Sequence, residues 1–70
     1  MEFLIAEKNK LMYRRYNNKD EILVGFNLEE NPETFELPAG FDYLDLFNNK
    51  TYNNAVTLKP ATGVILKRLD

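Results

Sequence analysis

The sequence predicts an all-β chain, a small antiparallel two-sheet β-sandwich of about seven to eight short strands with no substantial helix. Two observations carry this prediction. Apolar residues come in runs of about four to six, set off by Asn, Pro and Gly clusters at intervals of roughly eight to twelve residues. No breaker-free stretch of ten or more residues keeps an apolar period of 3.6, the spacing of an amphipathic helix.

The runs can be taken in order. Glu2 to Ala6 opens the chain, and Leu11 to Tyr16 follows. A turn over Asn17, Asn18, Lys19 and Asp20 comes next, where asparagine tolerates positive φ. Ile22 to Phe26 is apolar on both faces, which makes it the best candidate for a central strand. Thr34 to Leu37 alternates, with Phe35 and Leu37 inward, and Pro38, Ala39 and Gly40 turn the chain. Later pieces are shorter: a strand centred on Tyr43 to Leu46, Thr51 with Tyr52, Ala55 to Leu58, and Val64 to Leu69 after a loop bracketed by Pro60 and Gly63. Tyr16, Phe47 and Tyr52 each begin an aromatic-Asn-Asn triplet at unequal spacing, which reads as strand ends entering turns. So many short strands bury enough apolar surface only by stacking as two sheets.

Seventy residues make a single domain, 1–70, and a chain of this size buries only about 60% of the surface its unfolded form exposes. It contains no Cys and no His. That removes a disulfide framework, the usual zinc ligand patterns and the commonest general base, and no cofactor is expected. The lack of Cys fits a reducing compartment. The apolar run Phe3 to Ala6 is too short for a signal-peptide core or a membrane span, so no membrane partner is expected.

Net charge is −2, but Lys8, Lys10, Arg14, Arg15 and Lys19 fall in one acid-free stretch. A base-free stretch follows, carrying Asp20, Glu21, Glu29, Glu30, Glu33, Glu36, Asp42 and Asp45. On a strand, Arg14 and Arg15 face opposite ways, so they cannot line one phosphate-tracking surface and no nucleic-acid partner is expected. Cross-strand ion pairs with the acidic strands account for the basic run. Asp42 and Asp45, three apart on an extended segment, also point to opposite faces, which does not suit paired-carboxylate catalysis. Glu29 and Glu30 sit in a loop beside Pro32. Among the tyrosines, Tyr13 and Tyr43 lie in apolar strands and read as core, while Tyr16 and Tyr52 stand at turns and are the candidates for a sugar contact. Asn49-Lys50-Thr51 matches the N-glycosylation triplet, a match short enough to arise by chance.

The order of elements resembles a known family. EFLIAEKNKLMYRRYNNKDEILVGFN holds an apolar strand, the Tyr13-Arg14-Arg15 strand, a turn, and an apolar strand ending at Asn27. FELPAG (Phe35 to Gly40), Tyr43-Leu44-Asp45-Leu46, and LKPATGVILKR (Leu58 to Arg68) continue in step. This arrangement is similar to the C-terminal β-sandwich domain of the α-amylase clan of glycoside hydrolases, of the α-glucosidase, neopullulanase and cyclomaltodextrinase type. It departs from that pattern at Asn48-Asn49, where a glycine turn is more usual. The resemblance implies a non-catalytic accessory domain packed on a (β/α)₈ catalytic barrel of the same polypeptide, with no active-site residue of its own. It further implies one sheet face more apolar than a free-standing domain needs, with Tyr13 and Arg15 as interdomain docking residues. Two alternatives stay open: a carbohydrate-binding module that contacts maltooligosaccharide or starch through Tyr16 and Tyr52, and a free-standing small β protein that binds a protein partner.

Overall fold

In the computed structural model the described residues are 2–16 and 20–69. They form eight strands: β1 (Glu2–Glu7), β2 (Lys10–Tyr16), β3 (Glu21–Asn27), β4 (Glu33–Glu36), β5 (Asp42–Asp45), β6 (Thr51–Asn53), β7 (Ala55–Leu58) and β8 (Thr62–Leu69). Six of them make one antiparallel sheet in the order β1-β2-β3-β8-β5-β6, and β4 pairs with β7 in a second sheet of two strands. The all-β, two-sheet architecture expected from the sequence is therefore present, and its two layers are unequal. The turn read at Asn17 to Lys19 lies outside the described residues.

Strand alternation decides what the large sheet shows to each side. Met12, Leu23, Tyr43, Val64 and Leu66 share one face, and Phe35, Leu37, Val56 and Leu58 of the small layer lie over them, all nine buried. A β-bulge in β1 shifts the register between Phe3 and Ile5, so that the consecutive residues Leu4 and Ile5 both pack against this core. Met12 lies opposite Gly25, where an added Cβ would stand 2.8 Å from the Met12 Cε. The methionine thus fills the space the missing side chain leaves.

Three buried polar residues tie the layers and turns together. Asn27 is fully buried; its Nδ2 donates to the Leu58 carbonyl at 2.9 Å and the Asn31 carbonyl at 3.0 Å, while its Oδ1 accepts from the Glu29 N–H at 2.8 Å. One side chain therefore fastens the end of β3 to β7 and to the loop before β4. Asp45, also buried, accepts from the Phe47 N–H at 2.8 Å, the Asn48 N–H at 3.2 Å and the Asn48 Nδ2 at 3.0 Å, closing the turn after β5. Glu21 accepts from the Tyr43 hydroxyl at 2.6 Å and from Arg14 Nη1 at 3.1 Å. Two aromatic-Asn-Asn triplets end in left-handed residues, Asn49 at φ 59° and Asn54 at φ 69°, a conformation asparagine tolerates better than most residues.

Two expectations need correction. Tyr13 is not core: it alternates with Met12 and falls half-buried on the opposite face of the sheet. Ile22 to Phe26 is central in the sheet, as expected, and is covered on one side, because the second layer has just two strands. Gly63 belongs to β8 rather than to a loop, since Phe26 and Gly63 pair and the Phe26 ring occupies the space beside it.

Candidate docking surface

The face of the large sheet turned away from β4 and β7 can be read row by row from the strand register. Ala6, Leu11, Phe26 and Gly63 form one cross-strand row, and Phe3, Tyr13, Val24 and Ile65 the next. Arg15, Ile22, Lys67 and Leu44 form the third. Rows on one face lie about 6.8 Å apart along the strands and columns about 4.8 Å apart across them. The first two rows contain no charged side chain, and both cations stand in the third.

This surface is apolar and open. Phe3 is 54% exposed and Phe26 41%, while Leu11, Tyr13, Ile22, Val24 and Ile65 are half-buried. The Phe3 and Tyr13 rings meet edge to face, with centroids 6.1 Å apart and planes at 65°. Two shallow depressions share Val24 and Ile65 as a common floor. One, of about 420 Å³, is also lined by Tyr13, Arg15 and Ile22. The other, of about 290 Å³, runs to Phe26, Phe47 and Gly63. Apolar side chains thus run across four adjacent strands of this face, and a large exposed apolar patch is a common mark of an interaction surface.

The sequence-predicted residues divide between the two faces. Tyr13 and Arg15 stand in neighbouring rows of the open face, and the structure brings them together. Arg14 points the other way and is committed there: Nη1 to Glu21 at 3.1 Å, and Nη2 to Glu2. Lys10 with Glu33 at 3.7 Å adds to the pairing of the basic and acidic segments, and Lys67 of β8 stands 3.8 Å from Asp20. Tyr16 and Tyr52 are not brought together. They belong to β2 and β6, four strand spacings apart, or roughly 19 Å. The Arg14 guanidinium lies 5.6 Å from the Tyr16 ring centre, and Tyr52 is half-buried against the core. Asp42 and Asp45 diverge as strand geometry requires; Asp42 accepts from Asn53 Nδ2 at 2.8 Å, and Asp45 closes its turn.

Neither Glu21 nor Asn27 was singled out by sequence reasoning, and Asp45 was weighed only as half of a carboxylate pair with Asp42. Glu21, Leu23, Gly25 and Asn27 alternate on the covered face, so the polar ends of an apolar strand were the available signal. Burial pushes the Tyr43 phenol upward from its ordinary value, and the hydrogen bond to Glu21 and its negative charge add to this, against smaller opposing effects of Arg68 and Arg14. Burial acts to raise the Asp45 carboxyl, but hydrogen bonds from the Asn48 side chain and the Phe47 and Asn48 amides, with Lys50 nearby, outweigh it and hold the group below its ordinary value. Among the described residues no group of three or more Asp, Glu, His or Cys could hold a metal ion, and no helix is long and apolar enough to cross a membrane.

Neither a protein-family model nor a curated protein sequence matches the chain. Among solved structures, a β-galactosidase from Bacillus circulans sp. alkalophilus matches it with a TM-score of 0.77 and 24% sequence identity. The match covers 94% of this chain and 10% of that one. The fold recurs inside a glycoside hydrolase. The likeness is one of fold, to a segment about a tenth as long as the enzyme that contains it. It lends the α-amylase clan no specific support, because the matching enzyme is named for β-galactosides.

Proposed function

We propose that this chain is a non-catalytic accessory β domain of a glycoside hydrolase, with its open sheet face packed against the catalytic part of the enzyme. The observation that carries the reading is the apolar, half-open face built by Tyr13, Val24, Phe26 and Ile65 on a fold that recurs within such an enzyme. A free-standing domain of this size gains nothing from leaving that face uncovered, whereas a domain docked on a larger body buries it and stabilises both. The order of Tyr13-Arg14-Arg15, FELPAG and LKPATGVILKR supports a (β/α)₈ barrel of the α-amylase clan as that body. Specificity for α-glucosidic bonds rests on this resemblance alone.

The native gene and its product test the reading. A polypeptide or complex that joins this chain to a hydrolase catalytic domain, and loses thermal stability but not its active site when the chain is removed, is the expected result. A chain that acts with no hydrolase beside it would refute the proposal. Titration with maltooligosaccharides, followed by amide chemical shifts, checks the sugar-binding alternative. Localised shifts at Tyr16 or Tyr52 would favour it, although the wide separation of the two rings leaves each to act alone.

A further inference from the structure

We infer that the body covering the open face presents an apolar patch edged by an Asp or Glu carboxylate that pairs with Arg15. The partner's identity rests on the accessory-domain reading; its chemistry rests on the face itself.

Among the described residues, the Arg15 side chain differs from the sheet's other cations in having no partner. Arg14 bonds Glu2 and Glu21, Lys10 lies beside Glu33, Lys67 beside Asp20, and the Arg68 guanidinium stacks 4.6 Å from the Phe41 ring centre. The Arg15 guanidinium makes no ion pair and no hydrogen bond among the described residues. It is exposed, yet it stands one row from Tyr13 and directly across from Ile22 at the edge of the apolar field. A surface that seats on Tyr13, Val24 and Ile65 therefore also comes down over Arg15, about 6.8 Å further along the strand.

Covering an unpaired guanidinium is strongly unfavourable, because the charge loses its water and receives nothing in return. The planar fork of arginine matches a carboxylate through two parallel hydrogen bonds. Lys67, in the same row, already has Asp20 within 3.8 Å, so the unmet positive charge is concentrated at Arg15. A single acid placed there would fix the orientation of the docked domain, while the apolar rows supply contact area without register.

The test places the photoreactive residue p-benzoylphenylalanine at Tyr13 in the full native polypeptide, or in cells that make the chain, and maps the cross-link by mass spectrometry. The expected product joins position 13 to one apolar segment with an Asp or Glu beside it, in a glycoside hydrolase catalytic domain. Arg15→Glu should lower the yield by roughly 30-fold or more, Arg15→Lys should retain most of it, and changing the mapped acid to Arg should restore the Arg15→Glu yield. Circular dichroism melts of the Arg15 variants in the isolated 70-residue chain should match the parent, because Arg15 is exposed there, which separates docking from folding. An unchanged yield with Arg15→Glu, a cross-link to a second copy of the chain, or no cross-link would overturn the inference. A charge-sensitive cross-link into a protein that is not a glycoside hydrolase would retain the carboxylate pairing and refute the accessory-domain reading.

Discussion

Replacing Tyr43 by Phe isolates the most exacting interaction in the molecule. The Tyr43 side chain is fully buried, and its hydroxyl donates at 2.6 Å to the carboxylate of Glu21, a residue only 5% exposed. Phe fills nearly the same volume, so little cavity cost enters. What is lost is a hydrogen bond to a buried charged acceptor, worth about 1.5–3 kcal/mol. Glu21 keeps its Arg14 partner at 3.1 Å, which places the expected loss near 2 kcal/mol, about the middle of that range. In a domain of this length each kcal/mol moves Tm by about 4–8 °C, so the melting temperature should fall by about 8–16 °C. Thermal and urea unfolding followed by circular dichroism measure it, with Tyr52→Phe, at a half-buried position, as the control. A loss below about 0.5 kcal/mol for Tyr43→Phe would mean that the Glu21–Tyr43–Arg14 cluster does not hold β2, β3 and β5 together as argued.

Three further outcomes follow from the same geometry. The Tyr43 phenol binds its proton more tightly folded than unfolded, so its stabilising effect is complete below the ordinary value of 10.0 and declines as pH rises beyond it; unfolding free energy should fall with alkaline pH, and Tyr43→Phe should flatten that fall. Asp45→Ala leaves the Phe47 and Asn48 amides without their acceptor and should cost about 1–2 kcal/mol in urea unfolding. Because the Asp45 carboxyl is held below its ordinary 3.8, its contribution is present above that pH and lost below it, so parent and variant should converge in acid. Gly63→Ala puts a Cβ 3.0 Å from the Phe26 ring and 3.1 Å from the Gly25 carbonyl oxygen, and should cost about 1–3 kcal/mol while shifting the Phe26 ring resonances.

Strand existence was legible in the sequence because Asn, Pro and Gly mark nearly every strand end. The second Asn of two aromatic-Asn-Asn triplets supplies a left-handed turn residue, at Asn49 and Asn54. Alternation alone divided Arg14 from Arg15. The pairing of β4 with β7 could not be read, since it joins segments separated by β5 and β6 and depends on which strands find each other. That pairing leaves one face of Ile22 to Phe26 open, and it is why Tyr13, apolar in context, stands outside the core. The locking roles of the polar residues Glu21, Asn27 and Asp45 were equally hidden. A buried polar side chain is identified by its partners, and those lie in distant segments such as Leu58 for Asn27 and Tyr43 for Glu21.

A methyl-resolved NMR measurement with a soluble paramagnetic agent compares the two faces of β3 and β8 within one sample. In the isolated chain, the methyls of Ile22, Val24 and Ile65 should broaden strongly, and those of Leu23, Val64 and Leu66 should be protected. In the native polypeptide or complex, Ile22, Val24 and Ile65 should become as protected as Leu23. If the two sets broaden alike in the isolated chain, or if Val24 and Ile65 stay accessible in the native assembly, the open face is not the docking surface.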